Sequence, residues 1–251
     1  MTFYLIALML FIVAFLYASV GHGGASGYIA VFSLFNIAVK DYKPLVLVLN
    51  IAIAGIAFIQ FYRAGYFKWK LVYPFLLASI PMAFLGSHLA VHNKMYNVLL
   101  GVALIIPAIR FLGFDVKAKQ ISNDKNSTPI YTNQLPLMLL LGGSIGFISG
   151  LLNIGGGIFL SPVIILLSWA TMKEAAATSA LFIVFNSIAG LLGNSTNQYA
   201  FNEKTFVFLF AAIVGGFLGS FLGSKKLSPQ IIQKLLAVVL IIASVKLILF
   251  A

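Results

Sequence analysis

The chain has no cysteine, and its acids are scarce: five Asp and Glu stand against sixteen Lys and Arg in 251 residues. Without cysteine there is no disulfide scaffold. Charged residues make up only 8% of the chain, where soluble domains carry roughly 25%. That is too little to cover a soluble surface of this size, which excludes a secreted or cytosolic globular enzyme. A disordered chain is excluded too, because such chains are poor in apolar residues. What is present is apolar: 61% of residues are hydrophobic and the mean hydropathy is +1.06. The composition defines an all-α polytopic membrane protein. The net charge of +11 does not point to nucleic acid, because the basic residues are scattered; in a membrane protein they set orientation through the loops. Met1 to Val39 holds no charged residue. It therefore lacks the positive region of a signal peptide and is expected to stay in the mature chain.

Charges and prolines divide the apolar runs into ten expected helical segments, near 3–20, 25–38, 44–62, 70–91, 94–113, 135–152, 157–170, 174–194, 204–224 and 229–250. The one long polar stretch, 114–134, carries Asp115, Lys117, Lys119, Asp124 and Lys125. The halves on either side of it repeat. Gly23-Gly24-Ala25 matches Gly155-Gly156-Gly157, Ala54-Gly55 matches Ala189-Gly190, and Phe84-Leu85-Gly86-Ser87 matches Phe217-Leu218-Gly219-Ser220. The turn Lys40-Asp41 answers Met172-Lys173-Glu174, and Arg110 answers Lys246. The expected organisation is a first repeat over 1–113, a cytoplasmic linker over 114–134, and a second repeat over 135–251.

The first two segments of each half are too long to form one broken span. About 37 residues at 1.5 Å each give roughly 55 Å, against a hydrocarbon core of about 30 Å. They are expected to fold back as a hairpin, full-length or re-entrant. Each half then crosses an odd number of times, so the second repeat is inverted. Loop charge agrees: the hairpin arrangement puts eleven of the sixteen basic residues on one side, including Arg63, Lys68, Lys70, Lys173, Lys225 and Lys226. A broken span would leave them nearly balanced. By the positive-inside rule both termini are expected outside the cytoplasm.

Two glycine-rich breaks interrupt the apolar runs. The first reads Gly21-His22-Gly23-Gly24-Ala25-Ser26-Gly27, the second Asn153-Ile154-Gly155-Gly156-Gly157. Irregular backbone at membrane depth survives only inside protein or beside a water-filled cavity. Glycine allows close backbone approach, and the short helix after each break starts with free N–H groups. Two such sites meeting near the midplane form an anion-binding candidate. Its backbone donors would be Gly21, Gly23, Gly24, Gly155, Gly156 and Gly157; His22, Ser26, Asn50, Asn153, Thr178 and Asn186 would set selectivity. A helix terminus is worth only about 0.3–1 kcal/mol, so several direct donors at about 1.5–3 kcal/mol each are also needed. The structural alternative for the glycines is a tight helix crossing; for Asn50 and Asn186 it is interhelical hydrogen bonding, and for Thr178 a bond to its own helix. His22 is either a proton carrier or a neutral imidazole on a carbonyl. His88 and His92 are expected at the interface.

These residues resemble a known family. Gly21 to Tyr28, Asn153 to Gly157, and the stretches Ala177-Thr178-Ser179 and Phe185-Asn186-Ser187-Ile188-Ala189-Gly190 are similar to the TauE/SafE-type sulfite exporters, also called the toluene-sulfonate uptake permease family. The resemblance spans nearly the whole chain. It implies a bacterial inner-membrane transporter of small sulfur-containing or related organic anions. The first break departs from a plain triple glycine by carrying His22 and Ser26.

Two other functions fit parts of the sequence. A passive anion channel could use the same breaks. Gly24-Ala25-Ser26-Gly27 fits the Gly-x-Ser-Gly of rhomboid proteases, with His88 as base, but that leaves the repeat and the second break unexplained. The expectation is therefore a transporter and not an enzyme, working by alternating access. There is no nucleotide-binding motif and no metal cluster, so no cofactor is expected. No carboxylate lies in an expected helix core, leaving coupling to protons through His22, or to sodium through carbonyls, open. The expected partners are a small anion and the lipid bilayer; a homodimer is also left open.

Overall fold

The computed structural model describes residues 2–35, 37, 39–89, 134–194 and 203–226, with isolated positions between 95 and 109 and between 237 and 248. The expected segments 94–113 and 229–250 lie mostly outside these residues. So do the linker 114–134, Arg110, Lys246 and His92.

The described residues form eight helices: α1 (Thr2–Ser19), α2 (Ala25–Leu34), α3 (Val39–Arg63), α4 (Trp69–His88), α5 (Leu135–Leu152), α6 (Gly157–Leu166), α7 (Met172–Gly193) and α8 (Glu203–Lys225). Six of them are long and apolar enough to cross a membrane. The short ones, α2 and α6, have 10 residues each. At 1.5 Å per residue they rise about 15 Å, half of a bilayer core of about 30 Å. They end earlier than their apolar runs, which were expected to reach 38 and 170. The carboxyl end of α2 closes with Phe35 N–H on Val31 O and Ile37 N–H on Phe32 O. That of α6 closes at Ser168, which has a left-handed φ of 55°.

Each short helix turns back on the helix before it. Gly27 packs against Val13 and Tyr17, and the rings of Phe3 and Phe32 both meet Phe208. In the second half Trp169 Nε1 donates to Gln134 Oε1 at 2.9 Å, bringing the chain after α6 back to the start of α5.

Two helix pairs are joined by glycine at four-residue spacing. On α8, Gly215, Gly219 and Gly223 sit against the carbonyl oxygens of Phe11, Phe15 and Ser19 of α1, and a Cβ at any of them would overlap that backbone. On α5, Gly142, Gly146 and Gly150 sit the same way against Phe75, Ser79 and Ala83 of α4. Lipid gives helices no hydrophobic reason to associate, so close backbone approach through small residues has to do it. In both pairs the contacts advance together along the two helices, so each pair is parallel. Large apolar side chains such as Leu77, Leu140, Leu192 and Phe210 point outward, as a lipid-facing surface requires.

α7 opens with a capping box: Thr171 Oγ1 accepts from Glu174 N–H, and Glu174 Oε2 accepts from Thr171 N–H at 2.8 Å. Glu174 also pairs with Lys68 at 2.6 Å, tying α7 to the start of α4. Replacing an N-cap threonine by alanine costs about 0.5–2 kcal/mol. Thr171→Ala should therefore lower the thermal unfolding midpoint in detergent; an unchanged midpoint would show that the cap contributes nothing.

Candidate functional site

The two breaks have related backbones. α1 ends where Gly21 turns left-handed (φ 78°) and His22 N–H bonds Tyr17 O at 2.9 Å. α5 ends the same way at Asn153 (φ 55°), with Ile154 N–H on Ser149 O at 3.2 Å. This is the left-handed cap that glycine, and next asparagine, adopts at lowest cost. A further left-handed residue starts each short helix, Gly24 (φ 96°) before α2 and Gly156 (φ 74°) before α6, and in the second break Gly155 (φ 72°) is left-handed as well. Asn153 is thus first a helix cap. Its Oδ1 is buried without a hydrogen-bond partner.

The breaks meet inside the bundle, far apart in sequence but in contact. His22 Nε2 lies 3.1 Å from Gly157 O and 3.2 Å from Ser161 Oγ. Ser161 Oγ lies 2.6 Å from Ser179 Oγ on α7. Asn50, in the middle of α3, accepts from Ala25 N–H at 3.2 Å and donates to Ser187 Oγ of α7 at 2.9 Å. One amide therefore satisfies the first free N–H of α2 and reaches across to the second half. Gly23 and Gly155 both lie against this amide, and a Cβ at either would overlap it. Gly21 touches Ala176, and Gly157 touches Ile183. These glycines let the breaks reach α3 and α7. His22, Asn50, Ser161, Ser179 and Ser187 are all buried.

Other expected site residues lie beside this crossing. Ser26 Oγ bonds Tyr17 OH at 2.8 Å, within the first hairpin. Asn186 Nδ2 donates to Ser79 Oγ at 3.0 Å and to Phe182 O at 2.8 Å. Asn186 therefore joins α7 to α4, the interhelical role, and does not share the partners of Asn50. Thr178 Oγ1 is buried with no partner, and so makes no bond to its own helix. His88 is exposed at the end of α4, with Nδ1 3.0 Å from Phe84 O. Ser26 and His88 are thus engaged separately, and the serine–histidine pair of the protease reading does not form. Ser161 and Ser187 were not singled out from the sequence. Each follows helical spacing in an apolar run, and only its position opposite a break reveals it.

Span-length apolar helices enclosing two buried, non-helical crossings make this a polytopic membrane protein, since such backbone is tolerated at membrane depth only inside protein or beside a water-filled cavity. The family model for the sulfite exporter TauE/SafE matches residues 6–247, and the chain belongs to that family. It is similar to "Probable membrane transporter protein y4hK" of Sinorhizobium fredii, 34% identical over 242 residues that cover 96% of each chain. It is also similar to "Probable membrane transporter protein YunE" of Bacillus subtilis, 23% identical over 81% of this chain and 78% of the relative. "Probable membrane transporter protein MJ0441" of Methanocaldococcus jannaschii is 30% identical over 54% of this chain and 49% of its own. No solved structure matches the chain.

Proposed function

We propose that this protein is a secondary transporter of small anions, most simply sulfite, sulfonates or related organic anions, working by alternating access in the bacterial inner membrane. The carrying observation is the meeting of the two glycine breaks. His22 on one touches Gly157 of the other, and Asn50 joins Ala25 to Ser187. Two short-helix N-termini with glycine backbones beside them supply N–H donors and a positive dipole end. The Ser187 hydroxyl, the His22 ring and the Asn50 amide add donors for an oxyanion. The family name supports a sulfur oxyanion as cargo.

In this reading the chain is two inverted repeats of five segments, and helix direction supports it. α1 runs opposite to α2, α2 to α3 and α3 to α4, while α5 runs parallel to α4. The first helices of the two halves, α1 and α5, therefore point in opposite directions. Each pairs with the fourth segment of the other half: α1 with α8, α5 with α4. Ser244 Oγ donates to Gly101 O at 2.6 Å, so the last segments of the two halves also touch. Both termini lie outside the cytoplasm, and 114–134 lies inside. The halves move about the crossing and expose it to each side in turn.

Sulfite flux into proteoliposomes tests this, with sulfonates as further cargo. Wild type should saturate with concentration. Gly156→Leu forces a side chain onto φ 74° and against Phe182 and Ser149, and should lose the saturable flux. Flux that never saturates would make the protein a channel. No flux of any sulfur anion would overturn the cargo.

A further inference from the structure

The Nε2 atom of His22 faces a carbonyl and a hydroxyl at once. Nε2 lies 3.1 Å from Gly157 O and 3.2 Å from Ser161 Oγ. A carbonyl can only accept, and a neutral imidazole has one N–H. In the Nδ1–H tautomer Nε2 accepts from Ser161 and leaves Gly157 O unserved; once protonated, Nε2 donates to Gly157 O. On the Nε2 side the ring continues into a chain of hydroxyls: Ser161 Oγ at 3.2 Å, then Ser179 Oγ a further 2.6 Å on. All three side chains are buried. Ser179 lies about 7.5 Å of helical rise from Glu174 along α7, toward the end of the bundle that carries Lys68, Lys173 and Glu174.

The charged and titratable groups near His22 are few. From α1 and α2 they are Tyr17, whose hydroxyl is held by Ser26, and Tyr28, whose ring packs on Gly24. From α3 the neighbour is the neutral Asn50, with Tyr42 and Lys43 further along toward its start. α6 contributes only Gly157 and Ser161. From α7 the nearest charges are Glu174, paired with Lys68, and Lys173, which donates to Tyr66 OH and Ser224 O. None of His22's hydrogen-bonding partners is a carboxylate, so a charged His22 has no counter-ion of its own. A buried charge needs one, and an anion at the crossing supplies it.

We propose that His22, Ser161 and Ser179 are the proton-coupling element of this transporter, and that the anion and a proton on His22 occupy the crossing together. The inference rests on the anion-transport reading above. A solvent proton arriving at Ser179 Oγ displaces that hydroxyl's own proton to Ser161 Oγ, and Ser161 passes its proton to Nε2. Each hydroxyl gains one proton and loses one. The net change is one proton on His22, whose Nε2–H then donates to Gly157 O. Linkage makes the effect reciprocal: the proton tightens anion binding by the factor by which the anion tightens proton binding. Ser161 and Ser179 act through His22 and are positioning residues.

The test uses the full chain in proteoliposomes, with sulfite and a fully ionised sulfonate as cargo. Two quantities are read for wild type, Ser161→Ala, Ser161→Thr and His22→Gln. One is anion exchange at equal pH on both sides; the other is anion accumulation driven by a pH gradient, with a trapped pH dye following proton entry. Wild type should accumulate both anions with proton entry. On acidification its half-saturating concentration should fall by a factor in the roughly 5–150-fold range of coupled sites. Ser161→Ala should keep exchange and lose gradient-driven accumulation and the pH shift, Ser161→Thr should restore them, and His22→Gln should be independent of pH. Retained exchange shows that the variant is folded. Ser161→Ala accumulating like wild type would overturn the relay and leave anion transport standing. Wild type that exchanges anions without moving protons would overturn the coupling. Wild type exchanging neither anion at any pH would overturn the transport reading and this inference with it.

Discussion

Gly150→Ala and Gly219→Ala should each lower the thermal unfolding midpoint in detergent, whereas Gly143→Ala should leave it unchanged or raise it. All three exchange glycine for the best helix former, a gain of up to about 1 kcal/mol in a helix interior. They differ in what the new methyl meets. At Gly143 it would lie 3.7 Å from Met82 Cγ and 3.8 Å from Ala78 Cβ, ordinary contact. At Gly150 it would overlap the carbonyl oxygen of Ala83, and at Gly219 that of Phe15. A carbonyl in a packed helix cannot rotate away, so the whole helix has to move. Overpacking of this kind costs about 1–3 kcal/mol, and it also strips contacts from the rest of the glycine seam. Loss of folded protein on size-exclusion chromatography would be the extreme form of the same result. Equal midpoints for the three variants would mean that α1·α8 and α4·α5 are not held by close backbone approach.

Asn50→Ala should abolish most saturable anion flux while the protein still folds, and Asn50→Asp should be worse. Alanine leaves two buried groups unserved: Ala25 N–H loses its acceptor and Ser187 Oγ loses its donor. A buried polar group left unpaired costs about 1–3 kcal/mol. That cost falls on the arrangement in which the breaks meet, so the flux should drop by roughly tenfold or more, each 1.4 kcal/mol being about a factor of ten. Aspartate keeps an acceptor for Ala25 N–H but loses the amide donor. It also sets a negative charge where the anion is proposed to sit; two unit charges about 4 Å apart at an effective dielectric of about 20 repel by about 4 kcal/mol. Concentration-dependent sulfite flux separates the two variants. Wild-type flux in Asn50→Asp would remove the anion from this part of the bundle.

Much of the architecture was legible in the residues because membranes impose simple rules. Helix length, apolar content and the place of each break follow from bilayer thickness and from glycine's freedom. The breaks were found at the residues where the backbone does turn left-handed, Gly21 and Gly24 in one and Asn153, Gly155 and Gly156 in the other. The short helices were less legible. Phe35 to Lys40 reads apolar for most of its length, and nothing in it announces that α2 stops at Leu34.

Side-chain roles were harder to read for a different reason. Asn50 and Asn186 stand in similar places before an Ala-Gly pair and look equivalent. One joins the first break to α7; the other ties α7 to α4 through Ser79. Serines in apolar helices are common and commonly bond their own backbone, as Ser220 does to Gly216 O at 2.7 Å. Nothing local marks Ser161 as different. It becomes a site residue because His22, 139 positions earlier, ends up beside it.

The residues alone, then, determine a multi-pass helical membrane protein with two glycine breaks, because composition, span length and positive φ are local properties. Tertiary structure alone decides that the breaks touch, that Asn50 serves both halves, and that His22 continues into Ser161 and Ser179. Those contacts depend on which faces of α3, α6 and α7 are turned toward each other. That is set by small residues packing along whole helices, and no short stretch of sequence contains it.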